Sequence, residues 1–157
     1  MTDTTQFWDM IEKFDTAMVV TRDGQELRAR PMALKLSSAR DLLLFITDLD
    51  SHKVDEIEAD DRVALSFTRH GEYVSVSGRA RVSTDKALID DAWDAEAEAW
   101  MPQGKDGPGV AVLAIEPTQA EIWDVNTSKV RQAYEFARAY LGGKDRPDVS
   151  HNEKLDL

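Results

Sequence analysis

Val63-Ala64-Leu65-Ser66-Phe67-Thr68-Arg69-His70-Gly71-Glu72-Tyr73-Val74-Ser75-Val76-Ser77-Gly78-Arg79-Ala80-Arg81-Val82 is two alternating runs joined by a tight turn. Val63, Leu65 and Phe67 share one face and Ala64, Ser66 and Thr68 the other, the period of a half-buried strand. After His70-Gly71-Glu72 the alternation resumes. Val74, Val76, Ala80 and Val82 face one way; Tyr73, Ser75, Ser77, Arg79 and Arg81 face the other. Strands joined by so short a turn must run antiparallel. Gly78 interrupts the second run and marks a bulge or a close backbone approach.

Working outward, the same grammar recurs. Ala17 to Thr21 is a short strand, Arg22-Asp23-Gly24-Gln25 a hairpin turn, and Leu27 to Leu36 the returning strand. After the turn Ser37 to Asp41, Leu42 to Thr47 is nearly all apolar and reads as a strand buried on both faces or lining a barrel. Val110 to Ile115 and Ala120 to Trp123 read as two strands joined through Glu116-Pro117-Thr118-Gln119. Helices flank these strands. Asp3 to Phe14 carries Phe7, Met10, Ile11 and Phe14 on one face, with Asp3 and Gln6 in capping positions. Ser51 to Asp60 turns Val54 and Ile57 inward and Asp55, Glu56 and Glu58 outward. Thr84 to Trp100 reads as one or two helices. Ser128 to Leu141 closes the chain, with Val130, Tyr134, Ala137 and Leu141 at helical spacing and Gly142-Gly143 as its stop. Six or seven antiparallel strands linked by hairpins predict a barrel, mainly β with flanking helices (α+β). Residues 1–143 form one domain, and residues 144–157 are expected to be a polar tail.

The chain has 157 residues, 42% of them hydrophobic, enough for one domain with a real core. It contains no cysteine, which excludes disulfides, thiolate metal sites and cysteine nucleophiles. No apolar run approaches the ~20 residues that span a bilayer, and the start lacks the basic and apolar segments of a secretory signal, so a cytoplasmic protein is expected. The net charge of −11 opposes binding to nucleic acid or to an anionic membrane. His52, His70 and His151 show no metal-ligand spacing, so no metal is expected. Gly104 to Gly109 fit neither the dinucleotide fingerprint nor the P-loop, and no serine lies in a nucleophile elbow. The carboxylates at Asp90, Asp91, Asp94, Glu96 and Glu98 read as a solvated helix face.

One stretch carries chemistry. Phe45-Ile46-Thr47-Asp48-Leu49-Asp50-Ser51-His52-Lys53 runs from a strand to a helix start. Thr47, Ser51 and Lys53 there offer two hydroxyls, an ammonium and free helix N–H groups, a suitable set for a phosphate. The plainer alternative makes Ser51 an ordinary helix cap and leaves Lys53 solvated. Arg30 and Lys35 lie one strand earlier, around Pro31, which cannot donate to a ladder and so marks an edge or an opening in the sheet.

With these segments in place the chain resembles the pyridoxamine 5'-phosphate oxidase-like proteins, whose fold is the FMN-binding split barrel, and within them the general stress protein branch. The resemblance rests on Arg28-Ala29-Arg30-Pro31-Met32, Phe45-Ile46-Thr47, Ser51-His52-Lys53-Val54, Val63 to Phe67, Tyr73 to Gly78, Trp100-Met101-Pro102 and Ile122-Trp123, in order. It implies an antiparallel split β-barrel, a homodimer with flavin at the interface, and FMN as cofactor, with FAD or a deazaflavin as alternatives. By the resemblance, Arg30, Pro31, Met32, Ala33 and Lys35 match the strand along the flavin, with Arg30 at its phosphate. Ile46 and Thr47, preceded by Phe45, match a flavin-contacting pair. Ser51, His52 and Lys53 match a Ser-Arg-Lys phosphate triplet, with His52 where the pattern has arginine. Tyr73 and Val74 match a further flavin contact, with Tyr73 standing where the oxidase has glutamine. Trp123 matches a tryptophan supplied across the dimer.

The departures bear on activity. Lys129 stands where the oxidase has a substrate-phosphate arginine, and Ala133 where it has another. No counterpart of its substrate residues appears between Asp85 and Met101. The resemblance therefore implies a flavin-dependent oxidoreductase acting on an unidentified small-molecule redox partner, without vitamin B6 oxidation. The alternatives are a non-catalytic flavin-binding or sensing module, a deazaflavin-dependent reductase, and an unliganded structural dimer.

Overall fold

A computed structural model describes residues 4–124, 129–142 and 151–157; of residues 129–135 and 151 it describes the backbone alone. The elements are α1 (Thr5–Ile11), β1 (Thr16–Asp23), β2 (Glu26–Ala33), β3 (Lys35–Leu36), β4 (Leu43–Asp48), α2 (His52–Ala59), β5 (Arg62–Arg69), β6 (Glu72–Ser83), α3 (Lys86–Ala92), α4 (Ala95–Trp100), β7 (Val110–Asp124), α5 (Lys129–Gly142) and β8 (His151–Asp156). The sheet order is β2-β1-β5-β6-β7-β4-β3, with β8 added on β7, and every pairing is antiparallel.

The hairpins predicted from glycine are present. Gly24 (φ 62°) turns β1 into β2, and Gly71 (φ 76°) turns β5 into β6, both in the left-handed region that side chains disfavour. Pairing from Arg69↔Glu72 to Arg62↔Arg79 keeps Val63, Leu65, Phe67, Val74 and Val76 on one buried face.

Closure follows from one residue. β2 and β3 lie at opposite ends of the sheet order, yet Leu34 alone separates them. One residue spans at most about 3.6 Å. The sheet must therefore curl until its two edges meet, which gives the split barrel.

The interior is filled from both ends of the chain. Phe7, Ile11 and Phe14 of the N-terminal segment pack with Val19, Phe45, Leu65, Phe67, Leu113, Ile115 and Ile122. Leu44, Val112 and Ala114 point to the other side, where Ile89 and Ala92 of α3 cover them. β4 is thus buried on both faces, as its unbroken apolar run predicts.

Several expectations are corrected. Residues 110–124 form one strand, because a register shift between Ser77 and Gly78 lets β6 follow β7 past Pro117. The Thr118 hydroxyl fastens this bulge by donating to the Ser77 carbonyl at 3.1 Å. A Cβ on Gly78 would lie 2.7 Å from the Glu116 carbonyl oxygen, so the predicted close approach is real. Of the polar tail, which was expected to fray or to fold over a neighbour, residues 151–156 do the latter as strand β8: within β7, β4 pairs with residues 110–115, and β8 occupies the edge left open along residues 119–124. Leu155 enters the core. Gln6 donates to Glu153 at 2.9 Å instead of closing a capping box, and Asp3 lies outside the described residues. Glu56, expected outward, is buried. Leu141 is exposed, and Ser128 and Gly143 lie outside the described residues. No helix among the described residues is long and apolar enough to cross a membrane.

Replacing Gly78 by alanine should destabilise the fold by about 1–3 kcal/mol, because a methyl group must displace backbone at the bulge. Urea unfolding should show a lower midpoint at unchanged slope, while Gly142→Ala, where a Cβ meets nothing within 4 Å, should lack this steric cost.

Candidate functional site

The curl of the sheet opens a cleft of about 510 Å³ between the β2–β3 edge and α4. Arg30, Pro31, Met32 and Ala33 of β2, Lys35 of β3, Ile46 of β4 and Lys53 of α2 line one side. Each of these seven was a predicted site residue. β2 pairs only with β1, so Pro31 does sit on an edge strand, and the opening it marks is this cleft. Ala92, Asp94, Glu96, Ala97, Trp100 and Met101 form the facing wall, and Thr16 completes the lining.

Lys53 lines the cleft from the start of α2, while Ser51, just before that helix, is not among the lining residues. Ser51 occupies the N-cap position of α2 without a capping bond from its side chain; its hydroxyl lies 3.2 Å from that of Thr47. The plain capping role is therefore not what the Ser51 side chain performs. Lys53, in the first turn, is half-buried, and among the described residues its ammonium has neither an ion pair nor a hydrogen bond. Burial lowers its pKa, and the Arg30 guanidinium lowers it further, while Asp48 and Glu56 offset this from a distance. A desolvated cation beside another cation gains from any anion placed between them.

Arg30 is held from behind. Its Nη1 donates to the Thr21 hydroxyl at 2.6 Å and to the Val19 carbonyl at 3.4 Å, and its Nη2 to Glu56 Oε2 at 3.0 Å. The Thr21 hydroxyl also donates to Glu56. Glu56 and Thr21 are both buried. On the far wall Asp94 caps α4, accepting from the Ala97 N–H at 2.8 Å, and pairs with Lys35. The Lys35 ammonium, then the Ala97 N–H, hold its carboxyl below the usual range.

The remaining predicted residues lie elsewhere. The side chains of Phe45 and Val74 are in the barrel core, and Thr47 is buried beside Ser51. His52 points away from the cleft, toward Asp23 at 3.4 Å. Tyr73 and Trp123 are cross-strand partners on β6 and β7 and do not line the cleft. The side chain of Lys129 lies outside the described residues.

Sequence reasoning missed Thr21, Glu56 and the whole α4 wall. A signal for Glu56 existed: it stands three residues after Lys53 and next to Ile57, on the inward side of α2. Asp94 and Glu96 carried none, since a solvated acidic helix has the same spacing. Ligand atoms of Asp23, His52 and Glu56 lie within 4.8 Å of one another. Arg28 already bonds Asp23 at 2.6 Å and Arg30 bonds Glu56, so these carboxylates serve ion pairs and no metal role is assigned.

Known proteins share the sequence pattern and the fold of this chain. Residues 2–148 match the family described as pyridoxamine 5'-phosphate oxidase like. The chain is 28% identical over 141 residues to protein bli-3 of Neurospora crassa, covering 82% of this chain and 68% of that one. A protein from Jannaschia sp. CCS1, described provisionally as general stress protein 26, superposes with a TM-score of 0.78 at 26% identity, covering 98% of both chains. The general stress FMN/FAD binding protein of Xanthomonas citri gives 0.70 at 28% identity, covering 78% of this chain and 89% of that one.

The lowered pKa of Lys53 has a measurable consequence. Between that value and the ordinary 10.5 of the unfolded chain, the unfolded state binds a proton that the folded state has lost, so this group makes stability rise with pH. Lys53→Met should accordingly be more stable than the parent near neutrality, by a margin that shrinks as pH approaches 10.5. Urea unfolding of both proteins across this range, without added anions, checks the trend.

Proposed function

We propose, from the premise that this chain belongs to the pyridoxamine 5'-phosphate oxidase like family, that its cleft binds FMN or FAD and that the protein is a flavin-dependent oxidoreductase of the general stress type. The observation that carries this reading is Lys53, a half-buried ammonium lacking a partner among the described residues, in a cleft shared with Arg30. A flavin phosphate supplies the missing counter-charge. Arg30 and Lys53 would hold it, with Ser51 and the first N–H groups of α2 as further donors. The cleft volume lies within the roughly 300–1,000 Å³ usual for cofactor and ligand sites. Pro31, Met32, Ala33 and Ile46 offer the apolar surface for a ring system.

A bound flavin supplies hydride or electron transfer. The chain's own task is to bind, orient and exclude water. Met32 and Ile46 bring apolar surface to one side, and Ala97, Trp100 and Met101 face them. Lys35, paired with Asp94, would be the cation available to stabilise negative charge on a bound flavin. The donor or acceptor is a small molecule entering along the α4 wall. Tyr73 and Trp123 fit the same reading as residues serving a partner subunit's cleft in a homodimer. A non-catalytic flavin-binding module is the second reading. It is favoured by the commitment of Lys35 and Asp94 to each other, which leaves neither free as an acid or base.

Absorbance of the purified protein before and after soaking in FMN tests binding, and flavin bleaching by NADH or NADPH separates the oxidoreductase from the module. Lys53→Glu should weaken FMN binding by more than about 2 kcal/mol, since repulsion replaces a charge-assisted contact. Riboflavin, which lacks the phosphate, should be far less affected in the same fluorescence titration. Unchanged FMN affinity would remove Lys53 from the site.

A further inference from the structure

Glu56 is the one acidic residue of α2 whose side chain is withdrawn from water, at 2% exposure, while Asp55 and Glu58 are exposed. A buried carboxylate is unfavourable unless its lone pairs are satisfied. Here Oε2 accepts from both the Arg30 guanidinium and the Thr21 hydroxyl, and Oε1 lies 3.7 Å from His52 Nε2 and 4.0 Å from Arg28 Nε. Its direct bonds thus converge on Arg30, directly and through Thr21.

Arg30 has five N–H groups in a planar fork. Three are engaged, by Val19, Thr21 and Glu56. The partners grip the two Nη atoms, Nε makes no bond among the described residues, and Arg30 is one of the residues that line the cleft. A long cation left unsupported would sample many rotamers and lose that freedom on binding. Glu56 also lowers the net positive charge around Arg30 and Lys53, an effect that alone would weaken a cation site. The two effects can be separated: pure charge predicts that removing Glu56 tightens anion binding, whereas positioning predicts the reverse.

We propose that Glu56 is a positioning residue for the phosphate contact: it fixes the Arg30 guanidinium toward the cleft, with Thr21 as its relay, and thereby sets the affinity for the ligand phosphate. The role rests on the cleft being a flavin-phosphate site.

The test is a double-mutant cycle on the full chain, read by flavin fluorescence titration with FMN and with riboflavin. Glu56→Gln should lower FMN affinity on the order of tenfold, the scale on which supporting partners act on a ligating group. Riboflavin affinity should not change. In an Arg30→Ala background the same substitution should have no further effect, because its action runs through Arg30. Thr21→Val, close in shape and lacking only the hydroxyl, should give a smaller loss of the same kind and carries the test if Glu56→Gln fails to fold. FMN binding that is unchanged or tighter in Glu56→Gln overturns the proposal, as does an equal loss with and without Arg30. A parent protein that binds FMN no better than riboflavin instead removes the phosphate reading, and the positioning role with it.

Discussion

The connection at Leu34 is the constraint on which the rest depends. With a single residue between β2 and β3, the two edges of a seven-strand path cannot lie apart. Closing them leaves β2 an edge strand but sets its residues beside β4 and α2. Leu34 anchors the crossing: its side chain is buried, and its N–H donates to the Asp15 carbonyl at 2.9 Å. Arg30, before the crossing, and Lys35, after it, thereby share one cleft with Ile46 and Lys53. The same closure exposes the outer face of β4, and α3 is recruited to cover it. Site and fold are consequences of one short link.

Much of this was legible in the sequence, for physical reasons that differ by element. The β5–β6 hairpin was readable because period-2 alternation and Gly71 say the same thing. The double-sided burial of β4 was readable because no polar residue interrupts Leu42 to Thr47. Seven predicted site residues meet in the cleft: Arg30, Lys35 and Lys53 stood out as cations around Pro31 and a helix start, whereas Met32, Ala33 and Ile46 came from the family resemblance, and the break at Leu34 within the expected strand Leu27 to Leu36 was not foreseen. What failed depended on partners distant in sequence. Residues 151–156 look like a tail because their polar alternation pays off only against an edge of β7, which β4 stops short of covering. Residues 110–124 look like two strands because Pro117 suggests a break; a bulge at Thr118, opposite Ser77 and Gly78 of β6, absorbs it. Glu56 looks solvated because its partners, Thr21 and Arg30, belong to a hairpin far away in the chain.

The electrostatics resolve an apparent conflict between an acidic protein and an anion site. A net charge of −11 sets a field that repels anions at long range. At physiological ionic strength that field is screened over about 8 Å, so only groups inside the cleft act on a ligand already there. Several cations elsewhere are paired: Arg62 with Asp60, Arg79 with Asp61, and Arg28 with Asp23. Those pairs are exposed and contribute little to stability. Lys53 is treated differently. Its surroundings leave it half-buried and pushed toward losing its proton, and the Arg30 guanidinium, itself paired with Glu56, adds to that push. A cation so placed costs stability that an anion bound beside it would recover. On the proposed reading the recovery would come from two cations at short range, so affinity would reside in local geometry and the acidic surface would govern only approach.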